Sequence, residues 1–195
     1  MKAISAILLW LAALAASAAA EDALAPPAKS LVAYYSFSGK TELVAQTLAE
    51  SLHADLLRIE DETKPTEDEA YGIGRDAAVA GKSWPIQPFN ADVSGYGRVH
   101  VGFPVWFGMP PPAINAFLEQ VDLGGKEVVV FATMNSGGHN RAIHAATCKI
   151  AAKGAKVVAS FSVRTGSAPD GEIVQKARDA IAGLPPQSQL HPRQP

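Results

Sequence analysis

Residues Glu127-Val128-Val129-Val130-Phe131-Ala132-Thr133 form an apolar run without polar alternation. A strand of that kind must be covered on both faces, as in the middle of a parallel sheet. The flanking pattern agrees. Strand patterns at 30–35, 55–59, 98–102, 127–133 and 156–163 alternate with helical ones near 40–52, 113–121, 141–153 and 170–184. Residues 60–93 are charged and then rich in Gly and Pro, with room for one short helix. Parallel strands need helical crossovers, so this order predicts an α/β fold: a three-layer, doubly wound, five-stranded parallel sheet. Such sheets bind ligands beyond the carboxyl ends of their strands. The turns after the first, third and fourth strands are therefore where chemistry is expected.

The ends of the chain belong to a different kind of sequence. Lys2 is the only charge before Glu21; residues 4–14 are apolar, and Ala15-Ala16-Ser17-Ala18-Ala19-Ala20 follows. That order reads as a secretory signal peptide over 1–20, cleaved near Ala18 or Ala20, which predicts a periplasmic or secreted protein with no stable membrane span after cleavage. No cysteine stands there to take lipid, and there is no twin arginine. Residues 21–29 read as a linker, 30–184 as the domain, and 185–195 as a disordered tail rich in Pro and Gln. A net charge of -2 implies no nucleic-acid partner. Cys148 is the single cysteine, so no internal disulfide forms; its spacing to Ile143, Ala146, Thr147 and Ala151 predicts a small buried core residue. His100, inside the third strand pattern, is expected to be a hydrogen-bonded core histidine.

After the first strand comes Ser36-Phe37-Ser38-Gly39-Lys40-Thr41 and then a helical pattern. Strand, tight polar turn and helix together present backbone N–H groups and a positive helix end to an anion. A nucleoside-triphosphate loop would need glycine at position 34, where Tyr34 stands. A dinucleotide loop would need three spaced glycines. A flavin mononucleotide loop built on Ser and Thr fits, as does an ordinary strand-to-helix turn with an N-cap.

After the third strand comes Gly102-Phe103-Pro104-Val105-Trp106-Phe107-Gly108-Met109-Pro110. Aromatic residues in a strand-end loop suit either a stacked planar ring, with Trp106 on one face, or a hydrophobic plug over the sheet edge. After the fourth strand, Thr133-Met134-Asn135-Ser136-Gly137-Gly138 offers small residues whose N–H groups suit the polar edge of a flavin, or cap the next helix.

Taken together, S-F-S-G-K-T, G-F-P-V-W-F-G-M-P with A-I-N-A-F-L-E, and G-K-E-V-V-V-F-A-T resemble the flavodoxin-like family over about 30–184. The resemblance implies a sheet of order 2-1-3-4-5 and FMN as the cofactor. It implies Ser36, Ser38, Gly39, Lys40 and Thr41 at the phosphate, and Pro104, Val105, Trp106, Phe107 and Gly108 along one flavin face. Thr133, Met134, Asn135, Ser136, Gly137 and Gly138 would line the ring edge. The last loop lacks the aromatic residue that covers the second flavin face in electron-carrying flavodoxins, and the surface is not strongly acidic. An oxidoreductase reducing a small quinone-like acceptor, with NAD(P)H as donor, is therefore expected ahead of a carrier serving a redox partner protein. A cofactor-free scaffold comes third. Other constellations fail. Gly72-Ile73-Gly74-Arg75-Asp76-Ala77 follows no strand, and His139 and His144 lie five apart with no third metal ligand beside them.

Overall fold

The computed structural model describes residues 29–187. The expected signal peptide, most of the linker and residues 188–195 lie outside the described residues. The elements run β1 (Lys29–Tyr35), α1 (Lys40–Leu52), β2 (Asp55–Ile59), α2 (Glu67–Glu69), a π-helical turn (Ala70–Gly74) and α3 (Arg75–Val79). They continue with β3 (Tyr96–Pro104), α4 (Pro112–Gln120), β4 (Glu127–Met134), α5 (His139–Ala152), β5 (Lys156–Arg164) and α6 (Asp170–Ala182). All strand pairs are parallel, in the order β2-β1-β3-β4-β5. Every residue of β4 is buried, as its unbroken apolar run requires.

Two cores flank the sheet. Leu31, Ala33, Val99, Val101, Val128 and Val130 point to the side covered by α4 and α5, which add Ile114, Phe117, Ala142, Ala146 and Ile150. Val32, Tyr34 and Phe131 point to the side covered by α1 and α6, which add Val44, Leu48, Ile173 and Ala177. Alternation along each strand thus builds both layers at once. Gly102 lies beside Phe131 in the register, and a Cβ there would stand 1.9 Å from the Phe131 ring, so the glycine makes room for that ring. Phe131 in turn stacks on Phe161 of the edge strand β5, with centroids 5.5 Å apart.

Three local expectations need correction or completion. Cys148 is exposed, because the buried stripe of α5 is Ala142, Ala146 and Ile150 and Cys148 turns away from it. His100 is in the core, between Val32 and Val129, but neither ring nitrogen has a hydrogen-bond partner among the described residues. The carbonyls of Pro185 and Pro186 accept hydrogen bonds from the Arg98 guanidinium, which also forms a buried ion pair with Glu127 at 2.6 Å. No helix among the described residues is long and apolar enough to cross a membrane.

Candidate functional site

The turn after β1 is held by its own residues. Ser36 Oγ accepts a hydrogen bond from the Glu42 N–H at 3.2 Å. Gly39 occupies the N-cap of α1 at φ 85 and supplies no side-chain cap. The N–H groups of the first helical turn have no intrahelical acceptor and sit at the positive end of the helix dipole. A Cβ on Gly39 would meet nothing within 4 Å, so the space over the turn is open. Ser38 lies exposed beside it. Lys40 Nζ is paired with Asp170 at 2.8 Å, so this lysine offers the turn its backbone N–H rather than its charge. Thr41 is only 1% exposed, and its Oγ1 is hydrogen-bonded to Thr133 Oγ1 at 2.7 Å. Its hydroxyl ties the first turn to the end of β4.

In the second loop, the Trp106 N–H donates to the Met109 carbonyl and the Met109 N–H to the Trp106 carbonyl, both at 2.9 Å. This closes a two-residue turn on Phe107 and Gly108, whose φ values are 51 and 78. The ring before such a turn and the ring at its tip take different sides. Trp106 is 9% exposed and meets the rings of Tyr35, Phe37 and Trp84 edge-on, at 6.0, 5.6 and 6.2 Å. Gly74 packs against it, with a Cβ position 3.0 Å from the indole. Of the two expectations for this loop, the Trp106 ring takes the plug, and the outward ring is Phe107, at 45% exposure. Tyr71, which carried no signal in the sequence, meets Phe107 edge-on at 5.8 Å.

The third loop closes against the second. The Val105 N–H donates to the Thr133 carbonyl at 2.8 Å. Gly138 has φ 81, and a Cβ there would stand 3.0 Å from Gly108 Cα, so glycine is what lets the two loops touch. Thr133 and Met134 are buried, while Asn135, Ser136, Gly137 and Gly138 are exposed. Arg164, at the end of β5, donates to the Ser136 carbonyl at 2.9 Å. Beneath this edge the Tyr35 hydroxyl donates to Asp61 Oδ2 at 2.6 Å. Burial raises the Asp61 carboxyl above the usual range, and the Tyr35 hydrogen bond opposes that rise. Burial, and then the bond to Asp61, push the Tyr35 phenol up as well. Sequence reasoning missed this pair.

The three turns therefore form one continuous edge, joined by Thr41–Thr133, Val105–Thr133 and Gly108–Gly138 contacts. A family model described as Flavodoxin matches residues 29–167, the span that contains all of them. The chain belongs to the flavodoxin family. Among solved structures, the chain is similar to a flavoprotein from Bacteroides eggerthii DSM 20697, at 25% identity and TM-score 0.62, over 79% of this chain and 98% of that one. A flavoprotein from Bacteroides uniformis ATCC 8492 shares the fold at 24% identity and TM-score 0.62, over 78% and 99%. So does a flavoprotein from Lactobacillus acidophilus NCFM, solved in complex with FMN, at 24% identity and TM-score 0.61, over 77% and 98%. No curated protein matches the chain.

The cofactor that membership implies is FMN, and the residues present fit it. The open space over Gly39 and the start of α1, where the Lys40 and Thr41 N–H groups have no intrahelical acceptor, suit a phosphate. A Cβ on Gly137 would likewise meet nothing within 4 Å, leaving the exposed backbone of 135–138 accessible to a flat polar edge.

Proposed function

We infer that this protein is an exported oxidoreductase that reduces a small planar acceptor, of the quinone kind, with NAD(P)H as the donor. The observation that carries this reading is the loop 135–138, which is exposed, small and without an aromatic ring, while the Trp106 ring is committed to the core. A site left open in this way suits a diffusible acceptor. Bound FMN supplies reversible acceptance of electrons. The chain's own part is to hold and orient it. The Lys40 and Thr41 N–H groups of α1 would hold the phosphate, joined by Ser38; Pro104 and Val105 would form an apolar wall; the N–H groups of 135–138 would stabilise negative charge at the ring edge.

The test is a visible spectrum of the purified protein followed by steady-state oxidation of NADH with a quinone and no partner protein. Turnover supports the oxidoreductase; a flavin-bound protein that turns over only with a protein acceptor supports the carrier instead. Export rests on the leader pattern of residues 1–20, and recovery of the mature protein in the periplasmic fraction or the medium tests it.

A further inference from the structure

Two uncommon backbone features meet at one pair of exposed rings. Phe107 holds φ 51, a left-handed conformation that bulky residues seldom adopt and that carries strain. Asparagine or glycine would sit at this turn position without that strain. The strained turn holds the Phe107 ring outward. Tyr71 rises from the π-helical turn Ala70–Gly74, and such turns concentrate at functional sites. Tyr71 is 66% exposed, yet its ring is fixed edge-on against Phe107 at an interplanar angle of 88°. The Arg75 guanidinium lies 5.9 Å from the Phe107 centroid and is ion-paired with Asp76. Arg141, whose stem passes 3.7 Å from the Cβ position of Gly108, has no ion pair among the described residues. Two packed aromatic rings thus stand at a turn whose Gly108 is lined by the stem of Arg141, a side chain with no ion pair among the described residues.

We propose that Tyr71 and Phe107 seat the aromatic ring of the acceptor, and that Arg141 selects acceptors carrying a negative substituent such as a sulfonate. This inference rests on the oxidoreductase reading and names the acceptor class and the residues that recognise it. In the overall reaction NADH, one proton and the quinone give NAD+ and the quinol, so electrons and protons balance without another reactant.

The experiment uses the purified FMN-loaded protein and two probes, 1,4-naphthoquinone and its 2-sulfonate. Calorimetry without NADH measures probe binding, and steady-state assays measure KM and kcat. Tyr71→Ala is expected to raise Kd and KM for both probes about 3- to 10-fold, with kcat and FMN affinity unchanged. Tyr71→Phe should keep wild-type values. Arg141→Gln should weaken only the sulfonate, about 3-fold at low salt, and the difference should vanish near 0.5 M salt, where the Debye length is about 4 Å. Unchanged probe binding in Tyr71→Ala, or a parallel loss of FMN, would overturn the seat. Equal effects of Arg141→Gln on both probes would overturn the charge selection. A wild-type protein that holds FMN but neither binds nor reduces either quinone refutes the oxidoreductase reading, and the seat with it. Wild-type turnover with indifferent variants refutes the seat alone.

Discussion

His100 should make this protein acid-sensitive in a way one substitution removes. The imidazole is fully buried in β3, between Val32 and Val129. Burial, assisted by the positive charge of Arg98, lowers its pKa from 6.5 to about 3. The folded chain thus excludes a proton that the unfolded chain takes up below pH 6.5. Stability is full above that value and is lost as pH falls toward about 3, at ~1.4 kcal/mol per unit. Between pH 7.5 and 4.5 this single group accounts for about 2.7 kcal/mol, a large part of the total stability of such a domain. His100→Leu, similar in volume, removes the effect. It also removes two unpartnered buried nitrogens and should raise stability by about 1–2 kcal/mol even at pH 7.5. Urea unfolding of both apo-proteins across this pH range is the assay. The gap between variant and wild type should widen by 2–3 kcal/mol toward pH 4.5. Parallel curves, with a gap that does not change with pH, would refute the reasoning.

Three further outcomes follow from particular contacts. Thr41→Val leaves the buried Thr133 hydroxyl without its partner and should destabilise the apo-protein by about 1–2 kcal/mol in urea unfolding. Gly138→Ala places a Cβ 3.0 Å from Gly108 Cα at a positive φ; thermal melts should show a loss of about 1–3 kcal/mol, and fluorescence titration a weaker grip on FMN as the two loops part. Arg98→Met breaks the buried ion pair with Glu127 and withdraws the donor to the Pro185 and Pro186 carbonyls, so chemical denaturation should register a loss of roughly 3–5 kcal/mol.

Much of this molecule is legible in its sequence because the informative signals are local. The unbroken run at 127–133 requires a strand covered on both faces, and β4 is one. The step from Tyr35 through Gly39 to a helical pattern is a strand, a turn and a helix whose start lies open. What escaped depends on which way a side chain turns once the chain is packed. Trp106 and Phe107 are adjacent and chemically alike, and a two-residue turn that composition does not reveal sends one inward and one outward. Cys148 shares a helix with genuine core residues but stands off their stripe. Tyr71 and Asp61 lie in the stretch from 60 to 93, which has no periodicity. They come to the edge of the site because Gly74 packs on Trp106 and Trp84, and because Tyr35 reaches Asp61, contacts between residues far apart in the chain. The orphaned nitrogens of His100 were invisible for a related reason: a buried position is readable from a strand pattern, but the absence of a partner is not.

The proposed function requires that the open start of α1 and the loops 104–108 and 133–138 together hold FMN. Titrating the apo-protein with FMN, and in parallel with riboflavin, tests it most directly, with flavin fluorescence and melting temperature as readouts. Saturation at one FMN per chain and a melting temperature that climbs with FMN concentration by mass action are the expected results. Riboflavin, which lacks the phosphate, should bind at least tenfold more weakly, since charge-assisted hydrogen bonds contribute roughly 1.5–3 kcal/mol each. A melting temperature indifferent to FMN, or equal affinity for riboflavin and FMN, would contradict it.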